Sequence, residues 1–327
     1  MVTARGWPDF LPGATRRTCR WVATVARTPP RSFDVLMETR PILRARMRFE
    51  SWSKSDVGLV RESNQDHVGC FPHLSLYVVA DGMGGHADGE IASGLAVEAL
   101  RDAYDRDDAT QPGRPPAPER GAGPLSWLAR LGLVPGSGAA RDTGSRAGEL
   151  AHREVDRLTT AVEEANRRVF QRGHQDGGAV TRAMGTTVIA VVVHEWSQRL
   201  AWAHVGDSRL YRLRAGELTL LTADHTRYGE PYREKRPVPL DLPHTNQLTS
   251  ALGVSPAVGV AAGSADVADG DVYLLSSDGV TGLVPPEQIA EVLARGSAET
   301  IGAELLRRAL ANGGTDNASV VVLRVLG

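Results

Sequence analysis

The chain has 327 residues, with 37 Lys+Arg against 39 Asp+Glu and a formal charge of −2. That length allows one large domain or two ordinary ones, and the near-neutral balance gives no bulk-charge reason to bind nucleic acid or an anionic membrane. Two cysteines, Cys19 and Cys70, exclude a disulfide framework and a cysteine-built zinc site and suit a reducing compartment, so a cytoplasmic protein is expected.

From Met1 to residue 46 the chain is rich in Arg, Thr and Pro, as in Thr28-Pro29-Pro30-Arg31, with no sustained hydrophobic period. It reads as a disordered N-terminal extension ahead of a domain over 47–327. It lacks the apolar segment of an export signal, and no later run approaches the ~20 apolar residues of a bilayer span. Leu74 to Ala80 is a β-branched run that suits a buried strand. A helix is expected from Asp88, a candidate N-cap, with Ala92, Ala96, Ala99 and Ala103 on one side and Ile91 and Leu95 beside them. Residues 102–148 include Gly113-Arg114-Pro115-Pro116-Ala117-Pro118 and read as a long loop inserted between two helices. The second helix is marked by Ala151, Val155, Leu158, Val162, Ala165 and Val169 at steps of four and three.

Further strands are expected at Thr186 to His194, Leu200 to Val205, Asp271 to Ser276 and Ser319 to Leu326, with a hairpin turning at Arg214-Ala215-Gly216-Glu217. Helices are expected at Glu287 to Ala294 and Glu299 to Ala311, the latter closed by Gly313-Gly314. The long helices follow one another early, whereas the strands come in hairpin-like succession. This order fits an α+β sandwich of sheets covered by helices better than a doubly wound βαβ sheet.

The chemistry lies in a recurring context, an apolar strand or glycine-rich turn that ends in Asp beside Gly, Ser or Asn. It occurs at Asp81, Asp207, Asp278 and Asp316, and Asp66 opens the series in Arg61-Glu62-Ser63-Asn64-Gln65-Asp66. Any one of these reads as ordinary turn chemistry. Together, strands of common sheets would bring the acids to one rim, where cations would have to neutralise them. Oxygen-only ligands favour Mn²⁺ or Mg²⁺ over zinc. A two-ion site can acidify a water and hold it in line with phosphorus, which points to phosphoester hydrolysis. A phosphate loop at Asp81 to His86 is disfavoured, because no Gly-Lys-Ser/Thr follows.

The ordered set Arg61-Glu62-Ser63-Asn64-Gln65-Asp66, Asp81-Gly82-Met83-Gly84-Gly85-His86, Gly185-Thr186-Thr187, Gly206-Asp207-Ser208-Arg209, Ser277-Asp278-Gly279 and Gly314-Thr315-Asp316-Asn317 resembles the bacterial branch of the metal-dependent protein phosphatases (PPM, type 2C Ser/Thr phosphatases). The resemblance covers roughly residues 50 to 327 and implies a four-layer α-β-β-α sandwich of two antiparallel sheets, with a Mn²⁺ or Mg²⁺ site at one end. It implies hydrolysis of protein phosphoserine and phosphothreonine by a metal-bridging water, in opposition to a bacterial Ser/Thr kinase. By motif, Asp81 would bridge two ions, the Gly82 carbonyl would bind the first, and Asp66, Asp278 and Asp316 would complete the second. Asp207 would help Asp278 to hold a weaker third ion, and Arg61 would bind the substrate phosphate. His86 would be either a general acid or a structural neighbour of the site. His204 reads as a core residue, and His225 as a border of the cleft. Residues 224–249 correspond to the family's flap but carry Pro231, Pro237, Pro239 and Pro243 and the cluster Arg233-Glu234-Lys235-Arg236, so no regular helix is expected there. A phosphatase-like module without turnover is the alternative reading.

Overall fold

The computed structural model describes residues 47–85, 87–106, 143–174, 184–194, 198–232, 237–245 and 247–327. The expected extension at 1–46, most of the 102–148 insertion, the 233–236 cluster and His86 lie outside the described residues.

Two antiparallel sheets form the centre. One runs in the order β1 (Arg48–Asp56), β11 (Ala318–Leu326), β10 (Val272–Ser276), β7 (Arg209–Arg214), β8 (Glu217–Leu220). The other runs β2 (Asp66–Phe71), β3 (Leu76–Met83), β5 (Val188–His194), β6 (Arg199–Val205), β9 (Ala261–Asp266), and a short β4 (Gly185–Thr186) pairs with the end of β3. The long α1 (Ala87–Arg106) and α2 (Thr143–Gly173) cover the second sheet. The short α3 (Asp278–Thr281), α4 (Pro286–Leu293) and α5 (Ala298–Ala311) belong to the first.

Period-two alternation explains the layering. In β3, Leu76, Val78 and Ala80 pack against Ala92, Ala96 and Leu100 of α1 and Leu158 and Val162 of α2. The intervening Tyr77 and Val79 face the other way, into a core shared with Ile189, Val191, Leu200, Leu210, Tyr273, Leu275, Val321 and Leu323 from both sheets. A third cluster joins Leu274, Val320 and Val322 to Ile289 of α4 and Ile301 and Leu305 of α5. Each large aliphatic side chain buried in these layers contributes about 1.5–3 kcal/mol. The small residues expected on α1 serve close packing: Ala92, Ala96 and Ala99 are fully buried.

Three differences from the sequence reading have physical causes. Helix α1 starts at Ala87, so Asp88 sits in the first turn, where its charge favours the helix dipole. Residues 102–106 and 143–148, read as loop, are helical, and Arg168 Nη1 donates to Asp102 Oδ2 at 2.9 Å to tie α1 to α2. Strands β1, β2, β4 and β9 carry no strong apolar signal of their own and exist through their partners. Among the described residues of 224–249 the regular element is a 3-10 turn at Glu230–Tyr232, in keeping with the proline pattern.

Candidate active site

The alternation that buries Tyr77 and Val79 sends the next odd position, Asp81, toward the same inter-sheet face at its open end. In β2 the same rule groups Asp66 with Val68 and Cys70, which pack on that core. The antiparallel register then sets Asp66 directly opposite Asp81. Like charges in that position destabilise a sheet unless something lies between them. From the facing sheet, β10 ends at Ser276, and Asp278 opens α3 within hydrogen-bonding reach of Asp81. Asp316 stands just before β11, and Asp207 lies in the turn between β6 and β7, where Gly206 takes φ 111°.

Electrostatics shows how closely these acids approach. Loss of water, reinforced by the charges of Asp278 and Asp316, pushes the Asp66 carboxyl up to about 7. Burial, then Asp278 and Asp224, pushes Asp207 up to about 8. Burial followed by Asp66, Asp278 and Asp207 holds Asp81 well above the carboxylate range, and burial followed by Asp316 raises Asp278. Asp278 therefore acts on Asp66, Asp81 and Asp207, and Asp207 in turn acts on Asp81.

Arg61 supplies the counter-charge. Its Nη2 donates to Asp316 Oδ2 at 2.7 Å, and that bond, with help from the Asp81 and Asp278 charges, raises its own pKa. Its side chain remains 51% exposed, so it can exchange a carboxylate for a ligand.

The donor set fits hard divalent cations. Asp66 Oδ1 and Asp278 Oδ1 are buried with no hydrogen-bond partner among the described residues. Buried carboxylate oxygens need one. Among the described residues no cysteine or imidazole lies with these acids, and an oxygen-only donor set favours Mg²⁺ or Mn²⁺ over zinc. Among the described residues no three His, Cys, Asp or Glu side chains close into a ready-made cage. Gly82 is required on steric grounds: a Cβ there would strike Gly89 O and lie 2.5 Å from Gln65 O. Its N–H donates to Gln65 O at 3.1 Å, which holds the β2 entry against the end of β3.

The positions of these acids are set by neighbours to which sequence reasoning gave no role. Ser277 Oγ donates to Asp66 Oδ2 at 2.8 Å and accepts from Ser319 N at 2.9 Å. Asn317 Oδ1 accepts from Gln65 N at 2.9 Å, and its Nδ2 donates to Val57 O at 2.9 Å and Ser63 O at 3.0 Å, pinning both ends of the loop that carries Arg61. Thr187 Oγ1 accepts from Asp81 N at 3.1 Å, while Thr187 N and Thr186 Oγ1 donate to Asp81 O at 2.8 and 2.9 Å. Arg209 is buried and donates to Asp224 through Nε at 3.0 Å and Nη2 at 2.7 Å, and to Leu242 O at 2.9 Å. Ser277 and Asn317 adjoin the candidate aspartates Asp278 and Asp316, so adjacency was the available signal for them; Thr186, Thr187 and Arg209 stand in the motifs Gly185-Thr186-Thr187 and Gly206-Asp207-Ser208-Arg209 without a candidate aspartate next to them.

His204 is fully buried, as a core residue should be, and meets the ring of His225 edge-on at 4.7 Å. His225 N donates to Gly206 O at 2.7 Å, which brings the entry of the 224–249 segment against the Asp207 turn.

Two antiparallel sheets between helices, with Asp66 paired opposite Asp81 and Asp278 within reach at one end, define an α+β sandwich class, and comparison makes the class specific. The family model for protein phosphatase 2C matches residues 60–312, and the chain belongs to that family. It is 34% identical over 280 residues to the serine/threonine protein phosphatase PstP of Mycobacterium tuberculosis, a match covering 84% of this chain and 44% of PstP. It is 28% identical to the serine/threonine phosphatase stp of Listeria monocytogenes, over 83% of this chain and 93% of stp. The crystal structure of the PstP catalytic domain in complex with two manganese ions superposes with a TM-score of 0.61 at 30% identity, covering 86% of this chain and all of that one.

Proposed function

We infer that the chain is a metal-dependent protein serine/threonine phosphatase. One observation carries this reading: Asp66 and Asp81 from two paired strands, Asp278 from a short helix and Asp316 from the turn before β11 act on one another electrostatically, with an exchangeable arginine on Asp316. Asp66, Asp81, Asp278 and Asp316, with the Gly82 carbonyl, would hold two Mn²⁺ or Mg²⁺ ions, and Asp207 with Asp278 a weaker third. When bound, such ions supply a water acidic enough to attack phosphorus at neutral pH, together with charge to offset the transition state.

The chain's own residues do the rest. Ser277 fixes the Asp66 carboxylate through one oxygen, while the other is buried with no hydrogen-bond partner among the described residues. Thr186 and Thr187 fix the Asp81 backbone, so that its carboxylate is presented without reorganisation. Arg61 leaves Asp316 for the phosphate, where its planar fork engages two oxygens and orients the phosphorus. No side chain is phosphorylated in this scheme. The substrates would be phosphoserine and phosphothreonine proteins made by a bacterial-type Ser/Thr kinase, met in the cytoplasm. Among the described residues no helix is long and apolar enough to cross a membrane.

The test is hydrolysis of p-nitrophenyl phosphate and of a phosphothreonine peptide by wild type and Asp278→Asn. Activity is expected with Mn²⁺ or Mg²⁺, and loss of it on chelation and in the variant. Full turnover in excess EDTA, or an unimpaired Asp278→Asn, would refute the metal mechanism. A wild type inert toward both substrates with either metal would favour the silent-module alternative.

A further inference from the structure

The loop that carries Arg61 also holds Leu59 and Val60, which are 69% and 65% exposed. They are the only consecutive pair among the exposed large hydrophobic residues described, and they directly precede the residue assigned to phosphate. Their exposure does not come from a loose loop. Leu59 N donates to Gly314 O at 2.7 Å, and Gly58 N to Asp56 Oδ1 at 3.0 Å. Asn317 grips Val57 O and Ser63 O on either side. Gly58 sits at φ 82° with Asp316 O packed where a Cβ would stand. The backbone is thus fixed from both ends, and two aliphatic side chains face water beside the site.

We propose that Leu59 and Val60 form an apolar rim subsite that selects phosphoproteins with an aliphatic residue within about two positions of the phosphoserine or phosphothreonine. The distance follows from chain reach. Two residues span at most about 7 Å, and Leu59 packs beside Gly314 two positions from Asp316, on which the Arg61 guanidinium rests, so the near neighbours of a phosphate held by Arg61 come within reach of residues 59 and 60. Removing water from both partners supplies the preference, and the rigid loop keeps the ordering cost low. The inference rests on the phosphatase reading of the same site.

The experiment uses the full chain with Mn²⁺ and two phosphothreonine peptides that differ only in carrying Leu or Ser beside the phosphothreonine. The ratio of their kcat/KM values is measured for wild type, Leu59→Ser/Val60→Ser, and Leu59→Ile/Val60→Ile. Wild type is expected to favour the Leu peptide by about tenfold, the scale of one small apolar contact, with the difference in KM. The serine variant should bring the ratio to about one, and the isoleucine variant should restore it. Should the serine variant fail to fold, the near-isosteric Val60→Thr replaces it and should lower the ratio partway. A wild-type ratio near one, or a ratio unchanged in the serine variant, overturns the subsite while leaving the phosphatase reading intact. A wild type that hydrolyses neither peptide overturns both. A change of oligomeric state on gel filtration in the serine variant assigns the pair to contact with a second copy and overturns the subsite.

Discussion

The buried pair Arg209–Asp224 offers a quantitative test of what holds the 224–249 segment to the sheet. Both side chains are almost wholly out of water, at 2% and 1% exposure. Arg209 reaches from β7 to three groups: Asp224 by two nitrogens, Leu242 O at 2.9 Å, and the Tyr211 hydroxyl at 3.2 Å. Asp224→Ala leaves a guanidinium buried with only neutral acceptors, a loss of about 3–5 kcal/mol. For a domain of this size that corresponds to about 6–10 °C in Tm, at about 2 °C per kcal/mol. Arg209→Met should cost a similar amount, because it strands the carboxylate and frees the Leu242 carbonyl. The double variant buries no charge and should be less destabilised than the sum, with a coupling of about 2–3 kcal/mol. Urea unfolding of the four proteins measures the cycle. A loss below about 1 kcal/mol in Asp224→Ala, or strict additivity, would show that the pair does not clamp the segment.

Further expectations follow from other contacts. Arg61→Ala should lower kcat/KM on p-nitrophenyl phosphate by about 100-fold through loss of a charge-assisted phosphate contact. It should leave Tm nearly unchanged, because a half-exposed ion pair is worth about 0–1 kcal/mol; a large Tm loss with activity retained would contradict the assignment. Asp271 is buried and accepts from Arg214 at 2.7 and 2.6 Å, from Ala268 N at 2.9 Å and from the Tyr273 hydroxyl at 2.9 Å. Burial alone would raise its pKa, but these bonds outweigh burial and hold it below the usual carboxylate value. Its contribution is therefore fully present above the unfolded pKa of about 3.9 and is lost as pH falls through the lower folded value. Asp271→Asn should cost about 2 kcal/mol at pH 7, with the gap to wild type closing as pH falls below the unfolded value of about 3.9. Urea midpoints across that range check the sign, and a gap that widens in acid would reverse it.

The sequence by itself determined the elements whose signal is local. Runs such as Val188–Val193 and Val320–Leu323 are short and β-branched, which favours a buried strand, and the Ala151–Val169 spacing favours one amphipathic helix. The aspartates were legible for a similar reason. A carboxylate beside Gly, Ser or Asn at a strand end is unusual when it recurs, and the recurrence survives without knowledge of pairing. What the tertiary structure decided is the partnership. The segment Ala261–Asp266 is small and polar and becomes β9 only because β6 offers it a ladder. Asp66 faces Asp81 because of a register that neither strand encodes alone. Ser277, Asn317, Thr187 and Arg209 are turn or strand residues in one dimension, and acquire their tasks from acceptors up to 260 positions away, as Asn317 does from Val57. Local pattern records which way a side chain points, whereas the close approach of like charges is set by how two sheets are stacked and where their strands end.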